Sequence, residues 1–291
     1  MSTATTSFTS KRLPFNLTTL NYITAIVMVL FHVGAVAALF YFSWTNFFVA
    51  LALHWMAVGF GISLGYHRLH THRGYKTSKA FEYFLAVCGT LTLEGGPIFW
   101  VATHRIHHKF VETEKDPHST RPGFYWAHLG WILRGTANDH DEATLKKYVP
   151  DLMKDKFHTT LAKYYYVVLI ASGFILFAIG GWSMVLWGVF ARVVFGWHST
   201  WLVNSATHYW GNRRFETKDD STNNVWIALL TFGEGWHNNH HAQPASARHG
   251  LKWYEFDMNW LTIQLFEKLG WAKQIREFNT EKVSVELKQA A

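Results

Sequence analysis

The sequence predicts an all-α integral membrane protein whose four transmembrane helices gather histidines at one membrane face. Three observations predict it. There is no Asp, Glu, Lys or Arg between Arg12 and Arg68, or from Tyr164 to Ala191. Three short histidine clusters lie at the edge of these stretches or beyond them: His67-Arg68-Leu69-His70-Thr71-His72, His104-Arg105-Ile106-His107-His108 and His237-Asn238-Asn239-His240-His241. Basic residues border the apolar stretches on one side only, and the turns on the other side are uncharged.

A bilayer crossing takes roughly 20 apolar residues in a helix. The first stretch divides into spans at about 22–41 and 46–64, separated by Ser43-Trp44-Thr45. The second divides at Gly180-Gly181 into spans at about 165–179 and 182–202. Lys11 and Arg12 precede the first span; Arg68, Arg73, Lys76, Arg105 and Lys109 follow the second. Lys154, Lys156 and Lys163 precede the third; Arg213, Arg214 and Lys218 follow the fourth. Cytoplasmic loops collect Lys and Arg, so both termini and all the histidine clusters are expected on the cytoplasmic side. The first apolar run is too long for a cleaved signal peptide and has no small-residue cleavage pattern after it. Beyond the last cluster, 253–278 reads as an amphipathic helix. No linker, repeat or low-complexity block divides the chain, so 1–291 is read as a single domain.

Composition narrows the function classes. Charged residues are 16% of the chain, against about 25% in soluble proteins. Cys88 is the only cysteine, which excludes an internal disulfide and a Cys-ligated iron–sulfur cluster. The net charge of +7 suits anionic lipid headgroups or an acidic soluble partner. The positive charge is scattered and no nucleic-acid motif is present. The glycines from Gly59 to Gly65 lack dinucleotide-fingerprint spacing; Gly61 and Gly65 are expected to allow close helix packing.

Half of the eighteen histidines, numbers 67, 72, 104, 107, 108, 208, 237, 240 and 241, form the candidate ligand set. Imidazole is the commonest nitrogen ligand of transition metals. Nine exceed the roughly four that one tetrahedral zinc takes and suit two adjacent ions. His104, His107 and His108 are spaced i, i+3, i+4 and share a helical face, as do His237, His240 and His241. Asn204 and His208 are i, i+4. His67 and His72, at i, i+5, stand about 140° apart on an ideal helix, so they converge only if the helix ends or bends there. His32, His54 and His198 fall in spans, where a buried polar group needs a partner. His70 is offset from its cluster, and His118, His128, His140, His158 and His249 are expected at the surface or behind the ligands. Glu234, Asp116 and Glu94 are candidates to orient imidazoles.

These motifs resemble the membrane-bound fatty acyl desaturases, in the branch of stearoyl-CoA desaturase and the bacterial and plant Δ9 acyl desaturases. The resemblance runs from about Tyr22 to Trp253. Beside the clusters it rests on Gly95-Gly96-Pro97-Ile98-Phe99-Trp100, Asp116-Pro117-His118, the segment from Trp201 to His208, and Gly233-Glu234-Gly235-Trp236. It implies four transmembrane helices under a cytosolic helical cap with a di-iron site. The ligands would be His67, His72, His104, His107, His108, His208, His237, His240 and His241, with Asn204 holding a metal-bound water near His208. It further implies that oxygen and two electrons serve to remove two hydrogens from a saturated acyl chain, leaving a cis double bond, Δ9 in this branch.

The residues are consistent with that chemistry. Acyl CH₂ groups are too weakly acidic for acid–base catalysis, and an all-nitrogen ligand set does not suit magnesium or calcium. The many aromatics would line an apolar tunnel, with Trp100, Trp197, Trp201 and Trp236 beside the clusters. Electrons would come from a separate donor, ferredoxin-like, rubredoxin-like or of the cytochrome-b type, since a cytochrome domain such as fungal relatives carry is not read after Trp253. The His-Arg-Leu-His-Thr-His form is closer to bacterial and plastid enzymes, which points to a bacterial cell membrane. Leu20 stands where animal enzymes have arginine, and the stretch after Arg134 is acidic where theirs is lysine-rich. Those basic groups serve the coenzyme A phosphates, so a lipid-linked or carrier-protein-linked acyl chain competes with acyl-CoA. Other readings of the same histidines are an acyl hydroxylase of the same superfamily, a zinc hydrolase, a bis-histidine haem protein and a membrane metal transporter. A transporter would hold its ligands near the bilayer midplane.

Overall fold

The computed structural model describes residues 20–134, 140–279 and 281. Lys11, Arg12 and residues 135–139 of the acidic stretch lie outside the described residues. Three helical runs are long and apolar enough to cross a membrane: α1 (Tyr22–Leu39), α2 (Trp44–Thr71) and a third over Tyr165–His208. Asn21 starts α1 by accepting from the Thr24 N–H at 3.0 Å, and Ser43 starts α2 in the same way on Asn46. Only 11% of the α1 window is buried, with Ile23, Val29 and Val33 turned outward. Such an apolar exterior is unstable in water and natural in hydrocarbon.

The third run is continuous by hydrogen bonding but not in direction. Gly180 and Gly181 leave the helical region, and Gly181 takes φ 66°, which an L side chain rarely adopts. The arms on either side, α5 (165–179) and α6 (182–204), fold back on each other. Leu176 packs so tightly on Gly188 that a Cβ there would come within 2.7 Å of it. Met28 of α1 joins Leu169, Leu176, Val189, Val193 and Trp197 in one core between the runs.

α3 (Lys79–Thr90) and α4 (Pro97–Phe110) pack against the second half of α2. At the α2–α3 crossing a Cβ on Gly61 would lie 2.2 Å from the Gly89 nitrogen, so glycine is required there. Short helices between Glu142 and Lys163 cover α4. After α6 come α7 (His237–Ala242) and α8 (Met258–Lys268).

Three expectations need correction. α2 does not stop near residue 64; it runs to Thr71, so His67 lies on the spanning helix itself. The segment 253–278 is helical only from Met258 to Lys268, because Gly270 takes φ 75° and ends it. The chain is not wholly α-helical, since Lys76–Thr77 pairs antiparallel with Ala272–Lys273 and ties the end of α8 to the start of α3.

Candidate metal centre

The second half of α2, Trp55–Thr71, is wound in wide turns, and its last bond runs from the His72 N–H to the His67 carbonyl, five residues back, at 3.1 Å. Wide turns of this kind recur at functional sites. Together with the helix end, where Arg73 takes φ 53°, they bring His67 and His72 onto one side, ring centres 4.7 Å apart. On α4, His104 and His108 meet edge to face one turn apart, ring centres 4.7 Å apart, and on α7 His237 and His241 meet at a tilt with centres 4.3 Å apart. His208 follows α6 in the short turn Ala206–His208.

These elements bring all nine candidate histidines into two adjoining groups. His67, His72, His104, His108 and His240 form one; His107, His208, His237 and His241 form the other; within each, ligand nitrogens lie within 4.8 Å of one another. His240 Nε2 stands 3.1 Å from His67 Nε2 and 3.0 Å from His108 Nε2, which is 3.2 Å from His104 Nε2. In the second group His237 Nε2 and His208 Nε2 are 3.1 Å apart. Imidazoles bound at about 2.0–2.1 Å and at right angles on one ion would stand about 3.0 Å apart. The Nε2 atoms of His72 and His241 are buried without a hydrogen-bond partner among the described residues. Buried polar atoms are rarely left so. Burial, then the neighbouring histidines, holds His104 and His237 neutral far below the ordinary imidazole range. Neutral imidazole is the metal-binding form. The donor set therefore fits two transition-metal ions.

Carboxylates approach four of the nine from behind, at Nδ1. Glu234 contacts His67 at 2.6 Å and Asp116 contacts His107 at 3.0 Å. Glu112 contacts His208 and Asp219 contacts His241, each at 2.9 Å. Such a bond fixes the tautomer that leaves Nε2 free for a metal. Burial alone would raise the Asp219 and Asp116 carboxyls, but the histidines against them hold both far below the usual range. Glu234 also receives Arg68, a fully buried guanidinium shared with Asp257 at 3.0 Å.

Sequence reasoning missed Glu112 and Asp219. Neither stands at a repeating interval from its histidine: Glu112 is 96 positions from His208 and Asp219 is 22 from His241. The one local signal at Glu112 is conformational, a left-handed φ of 57° just past α4. Of the remaining histidines, His118, His158 and His249 are buried rather than superficial. His118 stacks on His107 with ring centres 4.2 Å apart, and His249 lies 3.4 Å from Glu234. His70 faces His158, away from the two groups. His32, His198 and His128 form a chain of ring-nitrogen contacts at 3.1 and 3.0 Å. His54 finds the Leu230 carbonyl, and His140 meets Thr103.

A cavity of about 470 Å³ reaches both groups. Ile23, Val27 and Phe31 of α1, Trp197 and Trp201 of α6 and Trp100 of α4 line it, and His67, His104 and His237 stand in its wall. Asn204, the last residue of α6, lines it too and belongs to neither histidine group. Trp236 points elsewhere, donating to the Phe256 carbonyl at 2.9 Å.

Apolar helices long enough to cross a membrane, nine convergent histidines and an apolar cavity ending on them describe a membrane-type helical protein whose histidine groups are compatible with metal binding. Comparison with known proteins narrows this class. The fatty acid desaturase family model matches residues 42–272. The sn-1 stearoyl-lipid 9-desaturase of Anabaena variabilis is 48% identical over 259 residues, 88% of this chain and 94% of that protein. The sn-2 palmitoyl-lipid 9-desaturase of Nostoc sp. (strain 36) is 44% identical over 88% of this chain and 90% of its own. The icosanoyl-CoA 5-desaturase of Limnanthes douglasii is also 44% identical, over 87% of this chain and 71% of its own. The chain belongs to the fatty acid desaturase family and is an acyl desaturase.

Proposed function

We propose that this chain inserts a cis-Δ9 double bond into saturated acyl chains carried on a membrane lipid, with two irons and electrons from a separate protein. The observation that carries this reading is the pair of convergent histidine groups at the end of an apolar cavity. His67, His72, His104, His108 and His240 would hold one ion; His107, His208, His237 and His241 would hold the other. When bound, the irons supply an oxidant able to take hydrogen from an unactivated CH₂.

The chain's own residues supply the rest. The aromatic wall of Trp100, Trp197 and Trp201 shapes the apolar slot and fixes which carbons lie beneath the histidines. Glu234, Asp116, Glu112 and Asp219 orient the imidazoles. Asn204 lines the cavity and would hold a metal-bound water near His208. Arms α5 and α6, reversing at Gly180-Gly181, act as the third and fourth crossings. The short helices then form a cytoplasmic cap reached by an acidic ferredoxin-like or cytochrome-b-type donor.

A lipid carrier is supported by two cyanobacterial relatives named for stearoyl-lipid and palmitoyl-lipid substrates. Leu20 and the acidic stretch after Arg134, where a coenzyme A phosphate site would be basic, agree with it. Relatives named as 9- and 5-desaturases reach the same 44% identity, so overall similarity alone does not set the position along the acyl chain. The test is a fatty-acid profile of a host that lacks its own Δ9 desaturase, with lipid and acyl-CoA pools separated. The reading expects a cis-Δ9 product that appears first in the lipid pool. Appearance first in acyl-CoA overturns the carrier, and a hydroxylated product overturns desaturation.

A further inference from the structure

The four carboxylates behind the histidines are committed to them. Glu94 is not. It stands in the cavity wall with His67 and His104, on the tight turn between α3 and α4 where Leu93 and Gly95 take φ 59° and 106°. Its partners are uncharged: the Trp100 Nε1–H donates to Oε2 at 3.2 Å, and Thr200 Oγ1 lies 2.7 Å from Oε1. Facing it across the cavity are His67, His104, His118, His237 and Glu234. Tyr66 lies close enough to feel its charge, and Arg192 is bonded to the Leu91 and Gly188 carbonyls rather than to Glu94. Among the described residues no cation pairs with it. Burial without a counter-charge pushes its carboxyl up to about 7, although the Thr200 and Trp100 bonds oppose the rise.

Thr200 makes either protonation state of Glu94 acceptable. A hydroxyl has one donor and two acceptor positions. When Glu94 is ionised, the Thr200 hydroxyl donates to Oε1. When Glu94 carries a proton on Oε1, it donates to Thr200, whose own hydrogen turns to the Gly196 or Trp197 carbonyl at 3.1 and 3.0 Å. A quarter-turn of one hydroxyl thus leaves no buried group unsatisfied.

Desaturation consumes protons. One saturated chain, one O₂, two electrons and two protons give one double bond and two waters; the chain loses two hydrogens, and the two protons come from solution. We propose that Glu94 is a proton carrier for this reaction, passing the proton on Oε1 through cavity water to oxygen as it is reduced and reloading from solvent through the same water. The proposal rests on the desaturase reading.

The test pairs infrared titration of the metal-free chain with turnover of the loaded enzyme, in wild type, Glu94→Gln and Thr200→Val. The wild type is expected to show a protonated carboxyl band that fades as pH rises through about 7 and is absent in Glu94→Gln. In Thr200→Val, which removes the donor to the ionised form, the midpoint is expected to rise. Glutamine keeps the shape and the Trp100 bond but cannot titrate. Turnover is therefore expected to fall roughly 100-fold, the lower end of general-acid effects, and the loss of wild-type rate above neutral pH is expected to vanish. No titrating band, or Glu94→Gln with wild-type turnover and pH profile, overturns the proposal. If Glu94→Gln fails to insert, the wild-type band and its shift in Thr200→Val decide. A wild type that forms no double bond overturns the desaturase reading instead, and the infrared result then judges Glu94 alone.

Discussion

The two histidine groups are built differently. In the group of four, three rings have a carboxylate on Nδ1: His107 with Asp116, His208 with Glu112 and His241 with Asp219. In the group of five, His67 alone has one, and that carboxylate, Glu234, is also bound to Arg68. The group of four has fewer imidazoles but negative charge close behind three of them, which makes those three stronger donors. The group of five has more imidazoles and supplies two of the four histidines in the cavity wall, His67 and His104. On the proposed reading, the first group would hold its ion more tightly and the second would hold the one facing substrate.

Removing one ring from each group probes that contrast hardest. His107→Ala and His240→Ala are each expected to abolish product formation while the chain still inserts into membranes. Metal content should drop from two ions to one in either variant, read by elemental analysis of purified protein. A variant that keeps full turnover would contradict the pairing.

Glu234→Ala comes next, because it removes the Nδ1 partner of His67 and also strips Arg68 of a buried counter-charge. Breaking such a pair costs about 3–5 kcal/mol, so thermal unfolding in detergent should come at clearly lower temperature. Asp219→Asn should leave unfolding nearly unchanged and instead weaken metal retention by roughly 10–100-fold, the usual effect of losing such a partner. It should do so in the group of four only, read by chelator competition. If both variants lost stability and metal alike, the distinction between the groups would fail. The smallest effect is expected at Asn21→Ala, which removes the α1 cap far from either group: about 1 kcal/mol of stability, with metal content unchanged.

The apolar helices and the convergence of the histidines were readable because each has a period or a run. Two i, i+3, i+4 runs placed His104, His107, His108, His237, His240 and His241 on common faces, and stretches without Asp, Glu, Lys or Arg outlined the apolar helices. His67 and His72 were harder. Their five-residue spacing misfits an α-helix, and only the wide turns of α2 and its end at His72 make them neighbours. Glu112 and Asp219 were not readable, since their partners are distant in sequence and reach them through tertiary packing. Asp116 and Glu234 stood out because each is close in sequence to the histidine cluster it serves or adjoins. The same limit hid the Glu94–Thr200 contact, which joins positions 106 apart. The extension of α2 past residue 64 was missed because the polar cluster 67–72 looks like a helix end in sequence. In the structure those polar side chains are buried, Arg68 completely, by Glu234 and Asp257.

The most direct test of the account is the metal inventory of the purified wild-type chain, taken from iron-supplied cells and read by elemental analysis together with Mössbauer spectroscopy. The account predicts two irons per chain in two nitrogen-rich environments that differ from each other. One metal per chain, or zinc at both sites, would contradict it.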